Sequence, residues 1–269
     1  MIALPPPPDA TAGNGSAATG SRHGPGGLAA VAWSVWEALG LFLVGNLALG
    51  EVLVAGLVLL VLGVQPNEDI AGLPTIVATI AADLAFLAVI ALWFRWRYPD
   101  AIRRIGVVFG GRGARDAAFG FVGGLLLYAA VAVVIGVPLL WLFRSVFGSQ
   151  VSQPEQIATD ISAGAKVLAV LSAVVIAPIT EELYFRGILY RSVRDRRGVA
   201  LGVLVQALIF GAVHAPAAPW RDVLFLQTLM CFTGAGLALL YERRANLVAS
   251  VAAHMAFNIV GVIAIFHGG

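Results

Sequence analysis

Seven apolar runs, at residues 38–63, 73–94, 117–142, 167–190, 199–216, 222–241 and 246–266, follow one another with only short polar breaks. About 20 apolar residues in a helix cross a bilayer core, and inside it the backbone must satisfy its own hydrogen bonds. Such a chain is expected to fold as an all-α, polytopic transmembrane helix bundle of about seven spans. The first apolar stretch begins earlier, at Leu28, and continues to Val64, which is too long for one span. We read LAAVAWSVWE (28–37) as an interfacial entry segment with Trp33 and Trp36 at headgroup level. An eighth span hidden there would leave no loop.

Composition agrees: 59% of residues are hydrophobic and 12% charged, against roughly 45–50% and 25% in soluble domains. The net charge of +2 comes almost wholly from arginines clustered between the apolar runs. That pattern describes membrane topology, and nucleic acid is not expected as a partner. Arg95, Arg97, Arg103, Arg104, Arg112 and Arg115 fill one loop, Arg191, Arg194, Arg196 and Arg197 another, and Arg243 and Arg244 a third. The alternate loops carry Glu68 and Asp69, then Arg144, Glu155 and Asp160, then Arg221 and Asp222. Seven spans place every basic cluster on one side, with the N-terminus cytoplasmic and the C-terminus outside. Residues 1–27, rich in Pro, Gly, Ala and Ser, read as a disordered cytoplasmic tail. The organisation expected is tail 1–27, N-terminal transmembrane helices 28–150 and a chemistry-bearing transmembrane core 151–269. Cys231, the single cysteine, has no adjacent base and no disulfide partner.

Ionisable groups inside spans cost about 2.5–3.5 kcal/mol or more and are functional candidates by default. They are Glu37, Glu51, Asp83, Glu181, Glu182, Arg186, His214 and His254, with Asn46 and Asn258 as neutral companions. In PITEELYFRG, Glu182 and Arg186 are four apart with the acid first, a spacing that lets them neutralise each other. A packing ion pair would account for those two. Glu181 lies about 100° round the helix, and its charge must be met from another helix or by water. Glu181 and His214 stand equally far, ~24 Å, from the hairpin turn at Arg197–Gly198. Pro178 and Pro216 are matched in the same way, which suggests two kinked helices around a wet pocket. His254 and Asn258 share a face four residues apart, as do Phe210 and His214. Ser192 and Ser250 read as helix-end residues.

Glu and His can activate a water as general base, and an amide and an imidazole can donate to a developing oxyanion. Alternatively, Glu181, His214 and His254 match the two-histidine, one-glutamate ligand set of a catalytic divalent metal such as zinc. Both routes lead to amide hydrolysis.

Three motifs then stand complete and in order: Glu181-Glu182-Leu183-Tyr184-Phe185-Arg186, Phe210-Gly211-Ala212-Val213-His214 and His254-Met255-Ala256-Phe257-Asn258. Over about residues 165–266 the chain resembles the CPBP family of CAAX proteases and bacteriocin-processing enzymes, related to the type II CAAX prenyl endopeptidases. The resemblance implies an intramembrane endopeptidase in a prokaryotic inner membrane, cutting a membrane-anchored, prenylated or bacteriocin-like substrate. It also implies roles: Glu181 as the water-activating base, His214 sharing the water, His254 and Asn258 at the oxyanion, Glu182 and Arg186 in support. The family is described both as metal-dependent and as metal-free, and our reading leans to a metal-free water. Other classes are a non-proteolytic scaffold or immunity protein of the same fold, and a proton-coupled transporter using Asp83, Glu51 and the histidines. No internal repeat supports the transporter.

Overall fold

A computed structural model describes residues 25–64, 72–148, 151–152, 161–216 and 218–267. Most of the tail, and the loop residues Glu68, Asp69, Glu155 and Asp160, lie outside the described residues. The seven apolar runs become helices in the expected order: α1 Val35–Val61, α2 Leu73–Arg97, α3 Gly110–Phe147, α4 Ala163–Arg197, α5 Val199–Val213, α6 Trp220–Arg244 and α7 Leu247–His267. Six are long and apolar enough to cross a membrane, while α5 is a shorter apolar helix. At 1.5 Å per residue α5 reaches about 22 Å, short of the ~30 Å core.

The end of α5 corrects one expectation. His214 has left the helix (φ −85°, ψ 75°), so Pro216 follows the helix and does not kink it. Proline disfavours helical geometry in the residue before it, which is why the chain departs upstream. Pro178, by contrast, lies inside α4, directly after a wide π-helical stretch at Ser172–Ile176. The α4–α5 hairpin turns at Gly198, whose φ of 92° suits glycine.

Packing follows the small residues. The most extensive pairing joins the first half of α3 to α7. There Gly120 and Gly124 lie so close that a Cβ on either would overlap the carbonyl oxygens of Ala249 and Ala253. These glycines therefore set how near α3 approaches the α7 backbone, and with it the position of Ser250 and His254, the residues that follow the two alanines. Gly124→Ala is expected to lower the stability of the detergent-purified protein by about 1–3 kcal/mol through overpacking. Gly123→Ala meets only the Leu240 side chain and should stay close to wild type in the same unfolding titration.

The entry segment also departs from expectation. Trp36 is 81% exposed, but Trp33 is fully buried and its indole Nε1–H donates to the Ile188 carbonyl of α4 at 3.1 Å. Trp33 is a core residue because its ring packs against Trp93, Phe94 and Tyr98 at the end of α2. Arg191, also fully buried, donates to the Ala29 carbonyl at 2.7 Å and pairs with Asp195 at 3.0 Å. Asp195 in turn accepts from Val31 N–H at 2.9 Å. Residues 29–33 are thus fastened along the charged end of α4.

Candidate active site

Three helices, α4, α5 and α7, bring polar side chains to one part of the bundle, and α6 adds a backbone carbonyl. Glu182 of α4 and Arg186, one turn on, are both fully buried and joined at 2.7 Å. The pairing expected from their spacing is present, and Arg186 does not turn to Asp83. Its second amino group donates to the Gly234 carbonyl of α6 at 3.2 Å. The guanidinium stacks on the Phe210 ring of α5, 4.6 Å from its centroid. A buried charge is tolerated when it is paired and hydrogen-bonded, and each of these contacts contributes to that.

Glu182 does more than neutralise Arg186. Its Oε1 also lies 2.8 Å from Nδ1 of His254 on α7, and its Oε2 accepts the Ser250 hydroxyl. Both carboxylate oxygens are occupied. Because the carboxylate accepts, Nδ1 of His254 carries a proton, and Nε2 points to the other glutamate. There it lies 3.9 Å from Oε2 of Glu181. His254 is nearly buried, whereas the Glu181 side chain keeps 26% of its exposure. Oε2 of Glu181 is nevertheless shielded and has no hydrogen-bond partner among the described residues. The adjacent glutamates therefore have opposite surroundings, one saturated and one bare.

His214 caps the end of α5, with Nδ1 2.6 Å from the Phe210 carbonyl. A carbonyl only accepts, so Nδ1 holds the proton and Nε2 of the neutral ring keeps its lone pair. The ring lies 4.6 Å from that of Phe210, which in turn is 5.9 Å from the His254 ring. Phe210 thus stands between the two histidines. Asn258 sits one turn beyond His254 and donates from Nδ2 to the Ala173 carbonyl of α4 at 2.7 Å. It does not join the Glu182 network.

The remaining acidic residues separate. Asp83 of α2 is partly buried within electrostatic reach of Glu181 and of Glu51. Glu51 itself is exposed on α1. Glu37 has no part in the site: it accepts the Ser34 N–H at 2.8 Å in a capping box that starts α1, and the Tyr98 hydroxyl at 2.5 Å.

Among the described residues, no three His, Cys, Asp or Glu side chains are grouped so as to hold a metal ion. Zinc ligands gather within about 2.0–2.2 Å of a common centre. Glu181, His214 and His254 as arranged do not meet that requirement, and no step below passes through a metal.

Two site residues escaped the sequence reading. Ser250 precedes His254 by one turn, so Ser250, His254 and Asn258 form a single stripe. Gln206 precedes Phe210 and His214 in the same way, and its Nε2 donates to the Gly234 carbonyl at 2.9 Å, the acceptor that Arg186 also uses. The fourfold spacing was the available signal in both cases. Ser250→Ala is expected to cost about 1.5–3 kcal/mol, the usual worth of a hydrogen bond to a charged group, with the Glu182–His254 contact kept. Comparing its unfolding titration and cleavage rate with wild type tests this.

Residues 163–260 match the protein family described as type II CAAX prenyl endopeptidase Rce1-like. The chain is also 31% identical over 119 residues to YdiL of Bacillus subtilis (strain 168), named as a candidate membrane peptidase. That match covers 44% of this chain and 46% of YdiL, less than half of either. No solved structure matches the chain significantly. The matched segment contains Glu181, Glu182, Arg186, His214, His254 and Asn258 together, and over residues 163–260 this integral membrane protein is similar to the Rce1-like type II CAAX prenyl endopeptidases.

Proposed function

We propose that the chain is an intramembrane endopeptidase that hydrolyses a peptide bond near the prenylated, or otherwise apolar, end of a membrane-anchored peptide or protein. The observation that carries this reading is the contrast between neighbours: Glu182 has both oxygens engaged, while Oε2 of Glu181 is bare and faces His254 at 3.9 Å. Glu181 takes a proton from water, and the lone pair of His214 Nε2 helps to hold that water. The hydroxide adds to the scissile carbonyl carbon and its oxygen becomes an oxyanion. His254, oriented by the Glu182 carboxylate on Nδ1, is the Nε2 donor that the family resemblance implies at that oxygen. Asn258 is the second donor that the family resemblance implies. When the C–N bond breaks, the proton held by Glu181 passes to the departing amine, and the carboxylate is restored. No covalent nucleophile is needed. The setting is a prokaryotic cell membrane; with α5 counted as a seventh crossing, the arginine clusters fall on one side, the N-terminus is cytoplasmic and the C-terminus outside.

The test is to incubate the detergent-purified full chain with a farnesylated peptide ending in a Cys-aliphatic-aliphatic-X sequence, following products by mass spectrometry. Release of the terminal tripeptide, undiminished by a chelator, is the expected result. An intact peptide, together with unchanged protein termini in membranes that contain the chain, would favour the scaffold.

A further inference from the structure

Asn258 meets a gap in the backbone of α4. In the wide turn at Ser172–Ile176, the N–H of Ala177 donates to the Ser172 carbonyl, five residues back. Ala177 would be the ordinary α-helical donor to Ala173, and it is committed elsewhere. In the five-residue register the next donor to Ala173 would be residue 178, which is proline and has no N–H. The Ala173 carbonyl therefore loses both of the donors that a helix would offer it. The Asn258 amide occupies that place, at 2.7 Å, from a different helix.

We propose that Asn258 is a positioning residue that replaces the missing Pro178 donor, tying the wide turn of α4 to α7. The wide turn ends at Ile176, five residues before Glu181. On the other helix, Asn258 lies one turn from His254, and His254 holds Glu182 at 2.8 Å. Asn258 and His254 are thus two ties between the same pair of helices, one two turns before the glutamates and one at Glu182 itself. With the Asn258 tie cut, an unpaired carbonyl remains inside the bundle, and the segment that carries Glu181 loses its anchor above the site. Pairing of backbone freed by a proline through a neighbouring helix is the general solution in membranes. The proposal adds a duty to Asn258 beyond the oxyanion contact, and only its activity arm rests on the peptidase reading.

The experiment is a double-variant rescue in the purified full chain. Asn258→Ala is expected to lower the thermal midpoint by roughly 3–10 °C, as for a buried acceptor left unpaired, and to speed amide exchange around residues 173–182. Pro178→Ala in the Asn258→Ala background puts a backbone N–H back at position 178. It should recover at least half of the lost midpoint, restore slow exchange in that segment, and raise kcat on the farnesylated peptide with KM unchanged. A double variant no better than Asn258→Ala, in folding yield, midpoint and exchange alike, overturns the proposal. So does an Asn258→Ala protein with wild-type midpoint and exchange but no cleavage, which would leave the amide as an oxyanion donor alone. If wild type itself does not cleave the peptide, the peptidase reading fails, and the midpoint and exchange data still decide this one.

Discussion

Glu181→Gln is expected to reduce kcat/KM on the farnesylated peptide by about 10²–10⁴-fold, the usual contribution of a positioned general base. The thermal midpoint should stay at or slightly above the wild-type value. The two effects separate because of what Glu181 lacks: Oε2 makes no hydrogen bond among the described residues, so an amide in its place breaks nothing that holds the fold. The neutral amide also takes a partly buried charge out of a medium where charge is costly. A residue kept for packing would behave in the opposite way, losing stability before activity. More than a tenth of wild-type cleavage remaining in a folded Glu181→Gln protein would remove Glu181 from the base's position.

How far the sequence is legible depends on which force writes each feature. The apolar runs and their order are visible because bilayer thickness dictates their length. The Glu182–Arg186 pair is visible because both partners lie on one helix, where spacing alone sets their distance. The contacts across helices are not visible in this way. Nothing in SVAAH says that Ser250 meets a glutamate 68 positions earlier, and nothing in WSVW separates the buried Trp33 from the 81% exposed Trp36. In a helix that is apolar all round, periodicity cannot tell the lipid face from the protein face. The wide turns in α1, α3 and α4 (at Phe42–Ala55, Ala130–Gly136, Ser172–Ile176 and Leu183–Tyr190) escape for a related reason. A π turn depends on which carbonyl each amide selects, and that choice follows from the packing around it.

The largest stability effect is expected at Arg186. Arg186→Met keeps much of the volume but leaves Glu182 as a fully buried carboxylate facing only His254 and Ser250. Removing one partner of a buried ion pair costs about 3–5 kcal/mol, because the remaining charge is left uncompensated. Glu182→Gln added to Arg186→Met removes that charge, and the Gln oxygen can still accept from His254 while its amide nitrogen donates to the Ser250 hydroxyl oxygen. The double variant should therefore regain at least half of the lost stability in an unfolding titration. Cleavage should not return with it: without the carboxylate the His254 ring loses the charge-assisted hydrogen bond that orients it, and a misplaced oxyanion donor corresponds to on the order of 10²-fold. Stability restored without activity would separate the two duties of Glu182, holding Arg186 in the bundle and orienting His254 for the reaction. Activity returning together with stability would instead mean that the buried triad serves the fold alone, and that the oxyanion is met by a group outside it.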